Sequence, residues 1–267
     1  MPEPLERLFS RPKPVIAIVH VGPSPGAPGA AAPAWAAERA LTEARVYAEL
    51  GVDGLLLENA HDAPALPEHA MGPEVATFMT RVAANIKRQC PRMVVGIQVR
   101  TGATRTALAV ALAAGCDFVR TERWGARTAD DCGAALRYRK LIGAENVPIW
   151  ADLRRPRRAQ AFDPAEAAYE AERHRADGLV VAGPAPGHAP EPDDLAAAAE
   201  GSDLPLFVGT GVTAENLADY VALADGFFVG SGLKEHGDWR APVCEKRVRA
   251  LVGAVEYARG RETVTLR

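Results

Sequence analysis

The chain has 267 residues, of which 48% are hydrophobic and 24% are charged, as in an ordinary globular protein. This length fits one (β/α)8 barrel better than two average domains. The formal net charge of −3 argues against a broad basic surface for nucleic acid. The four cysteines form no C-x-x-C pair, which favours reduced thiols in a cytoplasmic protein over a disulfide or zinc framework.

The first fourteen residues are polar and interrupted by proline, with no apolar segment typical of a signal peptide. We interpret residues 1–14 as an N-terminal extension of a single domain that covers residues 1–267. The strongly apolar runs have the length of a strand and are too short to span a membrane. The sequence therefore predicts at most a peripheral contact with a membrane.

Eight short apolar runs alternate with alanine-rich segments of helical periodicity. The predicted strands are 15–20, 53–58, 94–99, 117–121, 148–152, 178–182, 206–208 and 227–229. The predicted helices are 33–50, 74–89, 104–114, 131–142, 164–175, 193–199, 214–223 and 242–258. A glycine and an aspartate recur at the junctions from helix to strand, where we interpret the glycine as a helix C-cap. This repetition predicts a single (β/α)8 TIM barrel in the α/β class, with an open eight-stranded sheet as the alternative.

The connection after the first strand, residues 22–33, is long and rich in proline and glycine. At the C-terminal ends of the strands such a segment could be a mobile lid over a site. A disordered surface loop is the alternative.

Two glycine turns follow the last two predicted strands, GTGVT at 209–213 and GSGLK at 230–234. Glycine lets backbone N–H groups approach an anion closely, and two such turns form the usual phosphate site of this barrel. Thr213 or Asn216 would cap the helix after the first turn, whose N-terminus favours an anion. The alternative is that the glycines only allow tight turns. The predicted phosphate-binding residues are Gly209, Thr210, Gly211, Gly230, Ser231, Gly232 and Lys234.

Polar residues also follow the other strands, where barrel enzymes place their chemistry. Glu58 and Asp152 could act as general acid and base if burial separates their pKa values, or each could be ion-paired with an arginine. His20 could hydrogen-bond a ligand or relay a proton, and the alternative is a histidine packed under the loop that follows. The remaining predicted pocket residues are Asn59, Gln98, Arg100, Arg120 and Glu122.

The sequence predicts neither a metal nor an organic cofactor. The histidines lack metal-binding spacing, and no dinucleotide-binding glycine motif follows the first strand. A basic cluster at Arg154, Arg155, Arg157 and Arg158 could hold an anionic substrate end or an acidic partner, or be solvated surface charge. Beyond this cluster nothing points to nucleic acid.

Several segments together resemble the BtpA family across nearly the whole chain. They are 13–20 with Pro23, 51–54 leading to Glu58 and Asn59, 62–64, 151–152, 177–181, 208–216 and 225–234. The resemblance implies a TIM-barrel-like fold. It also implies a relation to cyanobacterial members that are peripheral thylakoid proteins needed for photosystem I biogenesis. The barrel of the family is similar to those of phosphate-binding enzymes such as phosphoribosylanthranilate isomerase and the tryptophan synthase α subunit.

The chain departs from the family pattern at 96–102, Glu122, 156–157 and Ala182. The phosphate end is kept while the residues near the reacting groups differ. We predict an enzyme that binds a small phosphorylated metabolite and acts by non-redox acid–base chemistry, as an isomerase, lyase or glycosidic hydrolase. The alternative is a non-catalytic assembly factor for a membrane protein complex. Barrels of this type are commonly homo-oligomers, and we expect the same here.

Overall fold

The computed structural model describes residues 3–30, 32–122, 124–125, 129–153, 162–185 and 187–265. Eight parallel strands form a closed barrel in chain order. The strands are β1 (Val15–His20), β2 (Gly54–Glu58), β3 (Val94–Gln98), β4 (Phe118–Thr121), β5 (Ile149–Leu153), β6 (Gly178–Val181), β7 (Leu206–Val208) and β8 (Gly226–Val229). Because β8 pairs with β1, with Phe227 opposite Val15, the predicted barrel is confirmed and the open sheet is not formed.

Helices cover the outside of the barrel and bury their apolar faces against the strands. They are α1 (Glu3–Glu6), α2 (Pro33–Glu49), α3 (Pro73–Gln89), α4 (Thr104–Ala114), α5 (Ala129–Leu141), α6 (Pro164–Arg173), α7 (Pro192–Gly201) and α8 (Glu245–Thr265). In the described part of the chain, none of them is both long and apolar enough to cross a bilayer.

The helix predicted at 214–223 is wrong. The connection from β7 to β8 contains only a single 3₁₀ turn, Leu217–Asp219. The side chain of Asn216 folds back there, accepting from Thr213 N–H at 2.8 Å and donating to Gly211 O at 3.0 Å. These bonds hold a loop conformation that competes with a helix start, so no α-helix N-terminus follows the first glycine turn.

The aspartates at the helix-to-strand junctions share one role. Each lies just before an even-numbered strand and accepts the N–H of the first or second residue of the preceding strand. The pairs are Asp53 with Val15, Asp117 with Val95, Asp177 with Ile149 and Asp225 with Leu206, at N···O distances of 2.7–2.9 Å. Each bond satisfies a partly buried donor, which would otherwise cost about 1–3 kcal/mol.

Aromatic rings fill the barrel interior below the site. Trp150 stacks between Phe118 and Phe207, with ring centroids 4.1 and 4.6 Å away. Glycines make room for these rings: a Cβ on Gly96 would lie 2.0 Å from Phe118, and one on Gly178 would lie 2.7 Å from Trp150. Gly178 is the first residue of β6, as the predicted strand at 178–182 has it, and does not act as a helix C-cap.

The segment predicted as an N-terminal extension packs into this interior. Leu5 and Phe9 are buried, and the ring centroid of Phe9 lies 6.4 Å from that of Trp150. Arg259 on α8 donates to Pro12 O at 2.7 Å and to Asp53 at 2.8 Å. These contacts close the N-terminal end of the barrel and leave the other end for a site.

Candidate functional site

A cavity of about 900 Å³ opens at the C-terminal ends of the strands, a size typical of small-molecule sites. Two arcs of the barrel line most of it. The carboxylate side, from β2 to β5, consists of Glu58, Gln98, Arg100, Arg120, Glu122 and Asp152. The glycine side, from β6 to β8, includes Gly183, Gly187, Gly209, Thr210, Gly211, Gly230 and Ser231. Most of the predicted site residues thus meet in one cavity.

Arg120 and Asp152 form a buried ion pair at the bottom of the carboxylate side, with Nε 2.7 Å from Oδ1. The guanidinium lies 4.7 Å above the ring of Phe228 and also donates to Gly209 O at 3.4 Å. Burial acts to lower the pKa of Arg120, but the facing carboxylates, Asp152 foremost, outweigh it and raise that pKa. Asp152 is thus ion-paired with an arginine, as the alternative interpretation expects, and a catalytic role for Asp152 stays a prediction.

Glu58 is held much more loosely than Asp152. Arg100 Nε lies 3.6 Å from Oε1 of both Glu58 and Glu122, longer than a hydrogen bond. Among the described residues, none donates a hydrogen bond to the Glu58 carboxylate. Burial raises the pKa of Glu58, and the negative charges of Glu122 and Asp152 act in the same direction against the arginines. A carboxyl with a raised pKa beside a cavity can donate and accept a proton.

His20 lines the cavity between the two sides. Burial, reinforced by the positive charge of Lys234, lowers the pKa of His20 to about 3, so its imidazole is neutral near pH 7. Its Nδ1 has no hydrogen-bond partner in the part of the chain that the structure describes, and its ring packs 5.3 Å from that of Trp239. The imidazole packs against Trp239 and lines the cavity, and its role in ligand binding or proton relay stays a prediction.

The glycine side presents backbone rather than side chains. Gly209, Gly211 and Gly230 line the cavity with main-chain atoms alone, since they have no side chain. Within the described ranges, the N–H groups of Thr210, Gly211 and Ser231 donate to no protein acceptor. Unpaired amides from two neighbouring loops are suited to bind an anion.

Gly211 is also required by packing. Its φ is 74°, and a Cβ there would lie 2.1 Å from the backbone nitrogen of Ala189. Thr210 joins the same two loops, accepting from Gly183 N–H and donating to His188 O, both at 2.8 Å. The packing supports the tight-turn interpretation of the first glycine motif, and ligand binding there stays a prediction.

Three predicted site residues lie outside the cavity lining. Lys234 is buried and its Nζ pairs with Glu43 on α2, so it supplies no charge to the glycine side. Burial lowers the pKa of Lys234. A Cβ on Gly232 would lie 2.4 Å from the carbonyl oxygen of Val212. Asn59 is buried and accepts from Arg100 N–H at 2.8 Å, so it shapes the loop after β2.

Sequence reasoning missed Trp239 and Arg240, which line the mouth of the cavity. The ring of Trp239 lies 5.3 Å from His20 and 4.7 Å from His61, and the Arg240 guanidinium lies 4.3 Å from the Trp239 ring centroid. A tryptophan in the polar segment after β8 is the signal that could have identified this wall.

The loop after β1 is attached at its base, because Ser24 N–H donates to Asp62 Oδ1 at 2.6 Å. Within the described part of this segment the exposed residues begin at Gly26, so the structure ties down only the start of the segment for which a lid or a disordered loop was predicted. The arginine cluster at 154–158 lies outside the described residues. Within the described ranges, no group of three or more His, Cys, Asp or Glu side chains is arranged to hold a metal ion.

Fold and cavity together define a (β/α)8-barrel protein with a polar pocket at the carboxyl ends of its strands. Residues 11–257 match the BtpA family. The chain belongs to the BtpA family, and the resemblance noted from its motifs is confirmed.

Relatives at about 30% identity extend over nearly the whole chain. An uncharacterized mitochondrial protein of Caenorhabditis elegans is 31% identical over 261 residues, covering 91% of this chain and 94% of that protein. The photosystem I biogenesis protein BtpA of Synechocystis is 32% identical over 264 residues, covering 94% and 91%.

Solved structures share the fold at much lower identity. Phosphoribosyl anthranilate isomerase from Thermus thermophilus superposes with a TM-score of 0.60 at 16% identity, covering 92% of this chain and 99% of that enzyme. At this identity the likeness establishes the barrel alone.

Proposed function

We propose that this protein is an enzyme that binds a small phosphorylated metabolite and transforms it by acid–base chemistry. The observation that carries the proposal is a single cavity with unpaired backbone amides on one side and the carboxyl of Glu58 on the other. Binding energy from the phosphate would position the reacting end of the metabolite beside that carboxyl.

The glycine side is the proposed phosphate site. Thr210, Gly211 and Ser231 would donate their N–H groups to phosphate oxygens, as in other anion-binding loops. The phosphoribosyl anthranilate isomerase neighbour, named for a phosphoribosyl compound, agrees with this assignment. Lys234 is paired with Glu43 outside the cavity lining, and the cavity is lined instead by other cations, which include Arg120 and Arg240.

Glu58 is the proposed proton-transferring residue. Its raised pKa gives both protonation states a population nearer to neutral pH than an exposed glutamate has. Asp152 orients Arg120, which also contacts the carbonyl of Gly209. Arg120 thus links the proposed reacting groups to the proposed phosphate loop. Isomerase, lyase and glycosidic hydrolase reactions all use such a carboxyl.

Introducing a negative charge on the glycine side tests the phosphate site. Ser231→Asp places a carboxylate next to the proposed phosphate, and Ser231→Asn is the neutral control of the same shape. We expect isothermal titration calorimetry with inorganic phosphate to show an affinity about tenfold lower for Ser231→Asp, because of like-charge repulsion. The Asn variant should retain most of the affinity. Equal phosphate affinity in the Asp and Asn variants would refute the site.

A second candidate function is that of an assembly factor without catalysis. It is favoured by the 32% identity to the photosystem I biogenesis protein BtpA of Synechocystis. A strain that lacks this gene, complemented with a Glu58→Gln/Asp152→Asn variant, separates the two candidates. Full complementation by a folded double variant favours the assembly factor, whereas loss of complementation favours the enzyme.

A further inference from the structure

The carboxylate side has unfilled hydrogen-bonding capacity of both kinds, an acceptor at Glu58 and a donor at Arg100 Nε, which has no partner among the described residues. Arg120 is committed to Asp152 and to the carbonyl of Gly209. Gln98 Nε2 donates to Glu122 at 3.2 Å. The Glu58 carboxylate lines the cavity and, among the described residues, receives no hydrogen bond. A bound molecule must therefore bring its own hydrogen-bond donor to Glu58.

The net charge of this side decides between two kinds of donor. Three carboxylates face two guanidinium groups, and burial raises the pKa of Glu58 toward the uncharged form. Arg100 Nε lies 3.6 Å from Glu58 Oε1, so an ammonium group bound at this carboxyl would lie close to a guanidinium. The neighbouring guanidinium would repel a cation but not a neutral hydroxyl.

We infer that the metabolite is a phosphorylated polyol or sugar whose hydroxyl groups bind Glu58 on the carboxylate side. The inference rests on the proposed phosphate site and adds the identity of the opposite end of the ligand. A hydroxyl can donate to the Glu58 carboxylate and accept from Arg100. The cavity of about 900 Å³ has room for a phosphorylated sugar.

Four probes test the inference by calorimetry on the full chain. They are inorganic phosphate, n-pentyl phosphate, 3-aminopropyl phosphate and D-ribose 5-phosphate, which differ in what they present to the carboxylate side. We expect ribose 5-phosphate to bind about 10- to 100-fold more tightly than pentyl phosphate, because its hydroxyl groups can hydrogen-bond to Glu58 and to the charged Arg100, whereas the pentyl chain cannot.

Two variants test whether the tighter binding of ribose 5-phosphate comes from Glu58. Glu58→Ala should reduce the preference for ribose 5-phosphate over pentyl phosphate to about twofold. Glu58→Gln, which keeps an acceptor oxygen and the side-chain shape, should retain part of it. Thermal unfolding of both variants checks that they are folded, and Glu58→Gln serves if Glu58→Ala is not.

The outcomes separate the inference from the proposal on which it rests. If pentyl phosphate and ribose 5-phosphate bind equally, and both weaken in Ser231→Asp, the phosphate site stands and the hydroxyl inference is overturned. If 3-aminopropyl phosphate binds more tightly than ribose 5-phosphate, the hydroxyl inference is overturned in favour of a cationic ligand. If none of the four probes binds, both are overturned.

Discussion

The carboxylate side and the glycine side face the same cavity but are built by different means. On the carboxylate side, charged side chains such as Arg120 and Asp152 determine the chemistry, and they neutralise one another in a buried pair. On the glycine side, unpaired backbone amides line the cavity, and the conformation of Gly211 requires the absence of a side chain. The groups that the carboxylate side presents to the cavity depend on residue identity. Those that the glycine side presents depend on the backbone conformation.

This difference explains why the two sides can diverge independently. A substitution at Glu122 changes charge without moving a strand, whereas a substitution at Gly211 must move the loop at Ala189. The proposed phosphate site is thus tied to the fold, while the side chains proposed to react are less constrained by it. Of the departures of this chain from the family pattern, 96–102 and Glu122 lie on the carboxylate side, whereas Ala182 follows β6 at the start of the glycine side and none falls in either glycine turn.

The largest expected effect is on the carboxylate side. Arg120→Ala leaves Asp152 buried without its partner and should lower the free energy of unfolding by about 3–5 kcal/mol. Urea denaturation monitored by circular dichroism measures it. The double variant Arg120→Met/Asp152→Asn removes both charges and should recover more than half of the loss. A loss below about 1 kcal/mol in Arg120→Ala would mean that the buried pair does not set this side of the cavity.

On the glycine side, Gly211→Ala should cost about 2–3 kcal/mol, since alanine disfavours φ near 74° and its Cβ would overlap the backbone of Ala189. The matched control is Gly253→Ala in α8, where a Cβ meets no atom within 4 Å. That substitution should stabilise the protein by about 0.5–1 kcal/mol through helix propensity. If the two substitutions changed the free energy of unfolding equally, the first glycine turn would not require glycine for its backbone conformation.

A smaller effect is expected at His20, which lies between the two sides, on the pH dependence of the free energy of unfolding. Its pKa is about 3 in the folded protein and about 6.5 when unfolded, so below pH 6.5 only the unfolded state gains the proton. Between pH 7.5 and pH 5 this residue should lower the free energy of unfolding by about 1–2 kcal/mol. His20→Gln should lose that part of the pH dependence in urea titrations, and His69→Gln at an exposed position should keep it. A His20→Gln variant with unchanged pH dependence would refute the buried, neutral histidine.

The barrel could be predicted because its signal is local and repeated. Each strand is a short apolar run of nearly the observed length, and β1 and β7 match the predictions residue for residue. The helix predicted at 214–223 failed because Asn216 hydrogen-bonds the turn before it, a side-chain choice that helical periodicity does not contain. Leu5 and Phe9 were assigned to an extension because the ring of Trp150, on which Phe9 packs, is distant in sequence.

From the sequence, only those residues of the site that lie at the ends of strands could be predicted. Glu58, Arg120 and Asp152 were identified because the carboxyl ends of parallel strands meet on one face. Lys234 was misplaced, since its partner Glu43 lies 191 residues earlier and no local pattern links them. The roles of Trp239 and Arg240 depend on how the segment after β8 folds back over His20, which no strand position fixes.

The pairing of β8 with β1, together with the contact of Lys234 with Glu43, places the seam of the barrel between the earliest and the latest strands to be synthesised. While a ribosome is still translating the chain, β1 has one free edge until residues 226–229 emerge. An exposed edge of this kind invites pairing with other chains. Ring closure therefore comes late in biosynthesis, and one edge of β1 stays available for pairing until β8 has been translated.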